Sequence, residues 1–289
     1  MINTYLQATE EALVKNCDLY FYDDSQVNQA ARYSLLNAGK RVRAMLIYLT
    51  ADMCGMDWTR YKDLACAVEM VHCYSLIHDD LPCMDNDDMR RGKPSCHKAF
   101  PENIALLAGD ALIGCGIETI VNSNDFNELE KVQTIKSICS AMGPKGMIYG
   151  QELDLKFETE KANKEQLAKI HRNKTGQLIS LCGKLGSIGC ELTKEQIEAI
   201  TVFFANTGLV FQIVDDILDV EGTQEELGKP IGSDAENGKS TFISLYGLED
   251  SKRQVKELTQ QANDLLYSQF GDKAQQIIEY TKKLSERKK

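Results

Sequence analysis

Two short aspartate-rich segments are the part of this sequence whose residue types and spacing most clearly indicate chemistry. One reads HDDLPCMD over residues 78–85, and the other reads DDILD over residues 215–219. On a helix, Asp215 and Asp219 would project from the same face, because they are four residues apart. Carboxylates held so close together either take up protons or bind cations. Oxygen ligands without a nearby cysteine–histidine pattern favour Mg²⁺ over Zn²⁺.

The simplest alternative for a run of aspartates is a solvated acidic surface. That interpretation suits Asp87-Asp88 and Glu225-Glu226. It is poor for residues 215–219, because their neighbours are apolar and would bury the carboxylates. A calcium-binding EF-hand that begins at Asp85 is excluded, since the alternating ligands fail at Met89 and the required glycine is missing. A bound cation therefore explains the second segment better than a surface does.

Pro82 interrupts the first segment and determines how its aspartates are arranged. Proline cannot donate a backbone hydrogen bond and clashes with the carbonyl four residues earlier, so a regular helix cannot continue through it. On an ideal helix, Asp79 and Asp85 would diverge by about 120°. We expect a bulge or break at Leu81-Pro82 to bring Asp85 back beside Asp79.

Basic residues lie near both acidic segments and at one predicted helix start. They are Lys40, Arg41 and Arg43, then Arg90, Arg91 and Lys93, then Lys174, Lys229 and Lys239. Taken singly, each is more simply a surface residue. Together with the aspartates they suit metal ions that bridge a polyphosphate, because arginine forks near a helix N-terminus bind phosphate oxygens. No P-loop or Rossmann glycine pattern occurs, so nucleotide chemistry of those types is not indicated.

The elements that must position these residues are helices. Apolar residues recur at three- and four-residue intervals, and none of the five prolines lies between 145 and 229. Residues 28–55 are predicted as two helices hinged at 37–39, with Gly39 just beyond the end of the first. No composition break or low-complexity linker divides the chain. We therefore predict an all-α, single-domain helical bundle over residues 1–289.

The second aspartate segment lies near the end of a long apolar helix. Thr193 and Gln196 form a capping-box signature at its start, and the helix runs towards Asp219. Its residues are apolar on almost every side, which is typical of a helix surrounded by other helices. We expect a buried central helix that carries carboxylates, followed by a long loop over residues 221–240, where glycines alternate with charges.

The composition limits the classes of protein to which the chain can belong. Its 33 lysines and arginines against 43 aspartates and glutamates give a net charge of −10, which excludes a broadly basic nucleic-acid-binding protein. We expect no secretory signal, because the N-terminal residues show no basic region followed by an apolar run. The apolar stretch 104–117 is broken by Asp110 and is expected to be too short to span a bilayer. Ten cysteines without a C-x-x-C pair are typical of free core thiols. We expect a soluble cytoplasmic protein with no nucleic-acid partner and no stable membrane insertion.

With these motifs in this order, the sequence resembles the trans-isoprenyl diphosphate synthases. Within that family it is most similar to the bacterial-type farnesyl diphosphate synthases. The resemblance is carried by GKRVR at 39–43, DDLPCMDNDDMRR at 79–91, Lys174-Thr175, FQIVDDILD at 211–219, and Lys229 with Lys239. It implies an all-α bundle with a deep central cavity, usually a homodimer. It also implies a Mg²⁺-dependent prenyltransferase that joins isopentenyl diphosphate to an allylic diphosphate (dimethylallyl or geranyl) and releases pyrophosphate.

The resemblance further implies which residues bind the metal and the allylic substrate. The ligands of a cluster of three Mg²⁺ ions that holds the allylic diphosphate correspond to Asp79, Asp85 and Asp215. Asp80, Asp216 and Asp219 correspond to carboxylates that contact the metal ligands or reach the metal through a water molecule. Contacts of the allylic diphosphate itself correspond to Arg90, Lys174 and Lys229.

The same resemblance implies residues for the second substrate and for catalysis. The isopentenyl diphosphate site corresponds to Lys40, Arg43, His72 and Arg91. Oxygens that face the developing allylic cation, next to the catalytic Lys174, correspond to Thr175 and Gln212. A lid over the bound substrate corresponds to the loop at 221–240, which carries Lys229 and Lys239.

Tyr74 and Ser75, which precede the first motif, bear on product length. In bacterial-type farnesyl synthases an aromatic residue five positions before the first aspartate, with a two-residue insertion like Pro82-Cys83, stops the growing chain. A plain core tyrosine is the alternative, because on an ideal helix Tyr74 lies about 140° from Asp79. A geranylgeranyl or geranyl diphosphate synthase on the same scaffold stays open.

His72 lies two helical turns before Asp79 and therefore on the same face, about 10.5 Å away. Without the resemblance, a packed histidine is the simpler interpretation, and His78 and His97 keep it. Ala44 departs from the family, which often has proline at this position, and this departure weakens the assignment of the basic residues before it.

Two further classes of protein are alternatives. A terpene cyclase would be helical with one aspartate-rich motif, but its second motif normally has Asn or Asp, Ser or Thr, and Glu, whereas this chain repeats aspartate at 215–219. A non-catalytic partner subunit would be expected to lose one motif, and both are intact here. Turnover by the chain alone separates an enzyme from such a subunit.

Overall fold

The computed structural model describes residues 2–37, 39–221 and 240–286. The chain forms two compact units. The first unit comprises Met1–Ala51 and Asp57–Lys136. The second unit comprises Asp52–Met56 and Ser137–Lys289.

Helices account for nearly all the regular secondary structure of the described residues, so the predicted all-α class is confirmed. In chain order the elements are α1 (Ile2–Tyr20), α2 (Gln26–Leu35), α3 (Val42–Met53), α4 (Lys62–Asp79), β1 (Met89–Arg90), β2 (Lys93–Pro94), α5 (Cys96–Ala99), α6 (Glu102–Asn122), α7 (Glu128–Met142), α8 (Met147–Thr159), α9 (Lys164–His171), α10 (Gln177–Gly186), α11 (Lys194–Glu221), α12 (Phe242–Tyr246), α13 (Leu248–Phe270) and α14 (Gln275–Ser285). Shorter turns are 3₁₀ at Trp58–Tyr61 and Gly271–Ala274 and π at Arg172–Gly176.

In the first unit, α4 is the helix against which several others pack. It contacts α6, and also α1 and α2. Its buried apolar residues include Leu64, Val68 and Val71. Burying a side chain of this size stabilises the fold by roughly 1.5–3 kcal/mol. A well-packed α4 therefore gives firm backbone positions to His72 and Asp79 near its C-terminal end.

In the second unit, α11 begins with the predicted capping box. The Thr193 N–H donates to Gln196 Oε1 (3.1 Å), and the Gln196 N–H donates to Thr193 Oγ1 (3.2 Å). The helix packs against α13 and α10. The prediction of a helix buried on almost every side is confirmed around Phe203, whereas Ile197 and Val220 near its ends are 53% and 52% exposed.

The break between α2 and α3 confirms the predicted hinge but not the role given to Gly39. Helix α2 ends at Leu35 with Leu36 as its C-cap, and α3 begins at Val42. The prediction that Gly39 follows a helix C-terminus directly is therefore wrong. The reason for a glycine at this position is a different one, since the side chain of Arg91 packs directly against it.

A short antiparallel hairpin was not predicted. Strand β1 pairs with β2, so that Arg90 lies opposite Lys93. The two residues of the turn, Arg91 and Gly92, have φ angles of 53° and 75°. Such left-handed angles are what a tight two-residue hairpin requires. Glycine meets this requirement easily, whereas arginine does so against its steric preference.

Two helices, α6 and α11, are long and apolar enough to span a bilayer by length and composition alone. Helix α6 is 21 residues long, so the prediction that the apolar stretch around Asp110 is too short is wrong. The helix continues beyond that stretch at both ends. Both helices pack within their own units, α6 against α4 and α2, and α11 against α13 and α10. Half of the apolar window of α11 is buried, whereas only 39% of that of α6 is, so packing explains the composition of α6 in part.

All ten cysteines are free thiols, as predicted. Cys17 and Cys73 are among the buried ones, and burial raises their pKa to about 11 and about 12, so both stay protonated at neutral pH. Cys83 and Cys139 are exposed, so the expectation of core thiols is wrong for these two.

Candidate active site

The first aspartate segment begins where α4 ends. The helix stops at Asp79, and the backbone N–H of Asp85 donates to the carbonyl of Asp79 (2.9 Å). Two further backbone hydrogen bonds to the carbonyl of Leu81, 2.8 and 3.1 Å long, close the turn around Pro82. The expected break at Leu81-Pro82 is therefore confirmed, and it returns Asp85 to Asp79.

Arg90 is bound by carboxylates of the same segment. Its Nε lies 2.9 and 3.2 Å from the two oxygens of the buried Asp80, and its Nη2 also pairs with Asp80. The same Nη2 donates to Asp87 Oδ2 (3.1 Å). Burial raises the pKa of Asp80 to about 6, although the charge of Arg90 acts in the opposite direction. Asp80 thus anchors one of the arginines predicted to contact substrate.

Arg91 packs against the basic segment at 39–43. Its guanidinium lies directly over Gly39, where an added Cβ would be 2.6 Å from Nη1 and 2.8 Å from Cζ. Nη1 donates to the carbonyl of Asn37 (3.4 Å), and the Asn37 side chain donates to the carbonyl of Arg90 (3.2 Å). These contacts join segments 53 and 54 residues apart in the sequence. A larger residue at 39 would therefore displace the guanidinium of Arg91.

His72 of α4 lies close to the same arginines. Burial, together with the charges of Arg43 and Arg91, holds the pKa of His72 well below its usual range. His72 is therefore neutral at physiological pH. Of the four residues predicted for isopentenyl diphosphate, Arg91 is joined to the segment that carries Arg43 by its contact with Gly39. The fourth, Lys40, is exposed and follows Gly39 directly.

A buried ion pair supports the basic segment from within. Arg41 is 3% exposed, and its Nε pairs with Glu10 Oε1 (2.7 Å) while its Nη1 lies 3.6 Å from the buried Glu69 Oε2. Glu69 also accepts the backbone N–H of Ala44 (3.2 Å). Proline has no N–H, so the alanine that stands in place of the family's common proline supplies a hydrogen bond at the start of α3. The departure at Ala44 therefore strengthens the anchoring of this segment.

Tyr74 and Ser75 lie on α4 ahead of the aspartates. Tyr74 is 5% exposed, its ring meets His78 edge-on with centroids 5.6 Å apart, and burial raises its pKa to about 12. Within the described residues the hydroxyl of Tyr74 has no hydrogen-bond partner. Ser75 donates to the carbonyl of His72 in its own helix (2.9 Å). His78 packs on α6, where Nε2 hydrogen-bonds with the carbonyl of Leu106 (3.0 Å), as expected for a packing residue.

In the second unit, a π turn places the predicted lysine and threonine. The turn at Arg172–Gly176 follows α9 and contains Lys174 and Thr175. Such turns are frequent at functional sites. Lys174 Nζ donates to Asp154 Oδ2 of α8 (2.6 Å), and a Cβ added to Gly150 of α8 would be 2.1 Å from the backbone nitrogen of Lys174. Helix α8 therefore fixes both the side chain and the backbone of Lys174.

Gln212 and Asp215 lie one helical turn apart on α11. Gln212 Nε2 donates to Asp215 Oδ2 (3.3 Å), and Gln212 Oε1 lies 3.2 Å from Nδ1 of His171. His171 is buried, and its ring stacks on Phe242 with centroids 5.4 Å apart and an interplanar angle of 27°. The Gln212 amide, which is predicted to face the allylic cation, therefore contacts Asp215 through its nitrogen and His171 through its oxygen.

The other two aspartates of α11 are buried. Asp216 Oδ2 accepts the backbone N–H of Phe242 (2.7 Å), the first residue of α12. A carboxylate at a helix N-terminus is favourable because of the helix dipole. Asp219 is 3% exposed, whereas Asp215 is half-buried. Asp215 is therefore the most accessible carboxylate of the segment.

Comparisons with known proteins decide the family. A sequence model described as polyprenyl synthetase matches residues 24–280. The chain belongs to the polyprenyl synthetase family. It is 40% identical to the farnesyl diphosphate synthase of Micrococcus luteus over 282 residues, which cover 97% of this chain and 96% of that protein. It is 42% identical to the chloroplastic geranylgeranyl pyrophosphate synthase 3 of Arabidopsis thaliana over 257 residues, which cover 87% of this chain and 71% of that protein.

A solved structure extends the comparison of this polyprenyl synthetase to three dimensions. The geranyltransferase of Helicobacter pylori, complexed with magnesium and isoprenyl diphosphate, matches with a TM-score of 0.82 and 31% identity. The match covers 98% of this chain and 95% of that one. The family predicted from the aspartate motifs, the all-α fold and the assignment as a prenyltransferase are confirmed.

Four residues that the sequence did not single out support the predicted ones through side-chain or backbone contacts. They are Asn37, Glu69, Asp154 and His171. Glu69 did carry a signal, because a carboxylate among the apolar residues of α4 would be strongly destabilising without a partner. The other three have no motif of their own, and only their contacts identify them.

The predicted metal ligands Asp79, Asp85 and Asp215 are all aspartates. Mg²⁺ prefers carboxylate oxygens of this kind, whereas softer metals prefer cysteine and histidine. In the described part of the chain, no group of three or more histidine, cysteine, aspartate or glutamate side chains is arranged to hold a metal by itself. Mg²⁺ usually takes one or two carboxylates and completes its shell with water and substrate phosphates. Lys229, Lys239 and the lid predicted around them lie outside the described residues.

Proposed function

We propose that this polyprenyl synthetase condenses isopentenyl diphosphate with dimethylallyl and geranyl diphosphates to give farnesyl diphosphate and pyrophosphate. The observation that carries the proposal is the packing of Arg91 on Gly39 of the basic segment, next to the turn that returns Asp85 to Asp79. Arginine forks match the oxygens of a diphosphate. The farnesyl diphosphate synthase of Micrococcus luteus, similar over 97% of this chain, supports this reaction.

Magnesium is the proposed cofactor, with three ions per site as the family resemblance implies. The proposed ligands are Asp79, Asp85 and Asp215. The magnesium in the Helicobacter pylori relative supports the choice of ion. When bound, the ions neutralise the diphosphate and so ease its departure from carbon. Asp80 and Asp216 support the ligand segments through their contacts with Arg90 and Phe242.

The basic side chains bind and orient the two substrates. The residues assigned to isopentenyl diphosphate are Lys40, Arg43, His72 and Arg91. Those assigned to the allylic diphosphate are Arg90, Lys174 and Lys229, with Lys239 joining them through the proposed lid. Separate cationic groups for each diphosphate orient the double bond of one substrate towards the reacting carbon of the other. Orientation of this kind lowers a barrier by about 7–11 kcal/mol in favourable cases.

Thr175 and Gln212 are proposed to stabilise the developing allylic cation through their oxygens. Neutral dipoles suit this role because they stabilise positive charge in a site from which water is excluded. Lys174, held by Asp154, contacts the leaving diphosphate. The departing pyrophosphate removes the proton in the final elimination, because the family resemblance places no protein base at the reacting carbon.

Tyr74 is proposed as the residue that limits the product to fifteen carbons. Its buried ring, with the neighbouring Ser75 turned back onto its own helix, closes the space ahead of the first motif by sterics. A geranylgeranyl product is the alternative, and the similarity to the Arabidopsis thaliana geranylgeranyl pyrophosphate synthase supports it. Chromatography of the dephosphorylated product distinguishes the two.

We further propose a cytoplasmic homodimer in which residues 1–289 form one functional domain. A single family model spans both compact units, which supports one domain. Apolar side chains on α6 support a subunit contact, since Leu106, Leu107 and Val121 are 44%, 47% and 50% exposed. Ten free thiols suit a reducing compartment.

Turnover of labelled isopentenyl diphosphate by the purified chain tests the proposed function. With Mg²⁺ and geranyl diphosphate, we expect pyrophosphate release and a fifteen-carbon product. EDTA should abolish turnover, and added Mg²⁺ should restore it. Asp79→Ala should be inactive, whereas Asp88→Ala, which changes an exposed aspartate of the same segment, should keep its activity. A folded chain that releases no pyrophosphate would contradict the proposal and favour a non-catalytic subunit.

A further inference from the structure

His171 is a buried histidine at the junction between α9 and the π turn that carries Lys174 and Thr175. It is 8% exposed, and its Nδ1 lies 3.2 Å from Gln212 Oε1. The ring is clamped on one face by Phe242. None of the motifs described for this sequence includes it, and the proposed reaction gives it no role.

The hydrogen bonds of Gln212 determine which nitrogen of His171 carries the proton. A carboxylate only accepts, so the group that Gln212 presents to Asp215 must be its NH₂. The opposite atom of the amide, which faces His171, is therefore the carbonyl oxygen. A carbonyl oxygen also only accepts, so Nδ1 of His171 must be the donor.

The remaining nitrogen of the ring is consistent with this assignment. Nε2 of His171 is buried and has no hydrogen-bond partner among the described residues. Because Nε2 has no partner of its own, the contact of Nδ1 with Gln212 decides the tautomer. Burial also lowers the pKa of His171 to about 4, with Asp154 acting upwards and Lys174 downwards, so the ring is neutral at pH 7.

We propose that His171 is a positioning residue that holds the Gln212 amide with its carbonyl oxygen, rather than its NH₂ group, on the side of the reacting cation. This inference rests on the proposed function, in which the oxygen of Gln212 faces the developing charge. A carbonyl oxygen has two lone pairs, so one can accept from Nδ1 while the other stays available. An amide turned by 180° would present its NH₂ group, whose dipole opposes the cation.

Two substitutions separate positioning from simple packing. His171→Phe keeps an aromatic ring against Phe242 but removes the donor, and His171→Asn restores a donor near the position of Nδ1. We expect His171→Phe to lower kcat about tenfold, the size of one lost hydrogen bond, with KM for both substrates changed by less than about twofold. His171→Asn should recover most of kcat. An active wild-type enzyme whose His171→Phe variant keeps full kcat, or whose His171→Asn variant shows no recovery, overturns the inference.

A measurement that needs no turnover tests the same contact. In ¹⁵N spectra of the full chain at pH 7, the ring of His171 should show a protonated Nδ1 and a bare Nε2. The signal is assigned by its loss in His171→Asn, and the other three histidines serve as internal references. A proton on Nε2, or an imidazolium, would overturn the inference even if the enzyme is active. Absence of wild-type turnover with the expected tautomer would instead contradict the proposed function alone.

Discussion

Replacing Gly39 by alanine tests whether the contact between Arg91 and the basic segment sets the affinity for isopentenyl diphosphate. The added Cβ would lie 2.6 Å from Nη1 of Arg91, whereas ordinary van der Waals contact begins at 3.4 Å. The guanidinium must therefore retreat by roughly 0.8 Å, the difference between these two distances. The retreat would also break the hydrogen bond from Nη1 to the carbonyl of Asn37, which is already long at 3.4 Å.

The expected effect of Gly39→Ala is on binding rather than on folding. One hydrogen bond to a charged group contributes about 1.5–3 kcal/mol, so the loss of one Arg91 contact should raise KM for isopentenyl diphosphate about 10- to 150-fold. KM for geranyl diphosphate should not change, because its proposed contacts are other residues. The free energy of unfolding should stay within about 0.5 kcal/mol of the wild-type value, since the displaced group is the mobile end of an exposed side chain.

A double-mutant cycle makes this prediction refutable. If Gly39 acts through Arg91, then Gly39→Ala should have no further effect on KM in an Arg91→Ala background. Additive effects of the two substitutions, or equal increases in KM for both substrates, would show that the reasoning is wrong.

Three further outcomes are expected. Tyr74→Phe removes a buried hydroxyl that has no hydrogen-bond partner among the described residues, so the free energy of unfolding, measured in urea, should rise by about 1–3 kcal/mol and the product length should not change. Tyr74→Ala should lengthen the product, and an unchanged product would exclude Tyr74 as the limiting residue. Glu69→Ala removes the buried partner of Arg41 and should lower the free energy of unfolding by about 3 kcal/mol. Glu10→Ala removes the partner that is 40% exposed and should lower it by about 1 kcal/mol or less. A larger loss for Glu10→Ala than for Glu69→Ala would contradict the argument from burial. The pKa of His171 is about 4 in the folded protein and near 6.5 when unfolded, so the unfolded state binds more protons between these values. The free energy of unfolding should therefore fall by up to roughly 3 kcal/mol as the pH is lowered through that range. His171→Asn should lack this part of the pH dependence, and parallel pH curves for the two proteins would contradict the prediction.

Features that depend on one stretch of chain could be predicted from the sequence. The break at Pro82 follows from a missing N–H and a steric clash, and the capping box at Thr193 and Gln196 from the reach of two side chains over one turn. Both are local, so no knowledge of helix packing was needed. The family that the paired aspartate motifs indicate is confirmed, whereas the cation site predicted from their spacing stays a prediction.

Features that depend on contacts between distant residues could not be predicted in this way. Asn37 joins Arg90 and Arg91 across more than fifty residues, and His171 meets Gln212 across 41. Such contacts depend on how helices pack, and periodicity gives only the buried face of each helix, not its partner. Gly39 shows the consequence: a glycine after a helix suggested a C-terminal residue, whereas the close approach of an arginine explains it.

The positive-φ residues indicate how the basic groups are held in place. Among the described residues other than glycine, those with left-handed backbone are Arg41 (φ 46°), Asn86 (φ 51°) and Arg91 (φ 53°), and all three lie within the segments that carry the proposed site. Each such conformation costs roughly 1–2 kcal/mol and persists only where neighbouring contacts stabilise it. For Arg41 that contact is the buried Glu69, and for Arg91 it is the packing on Gly39. Because these contacts hold the backbone that carries Lys40, Arg43 and Arg90, a diphosphate that binds those side chains does not have to order it. The free energy of binding is then more favourable by the ordering cost avoided.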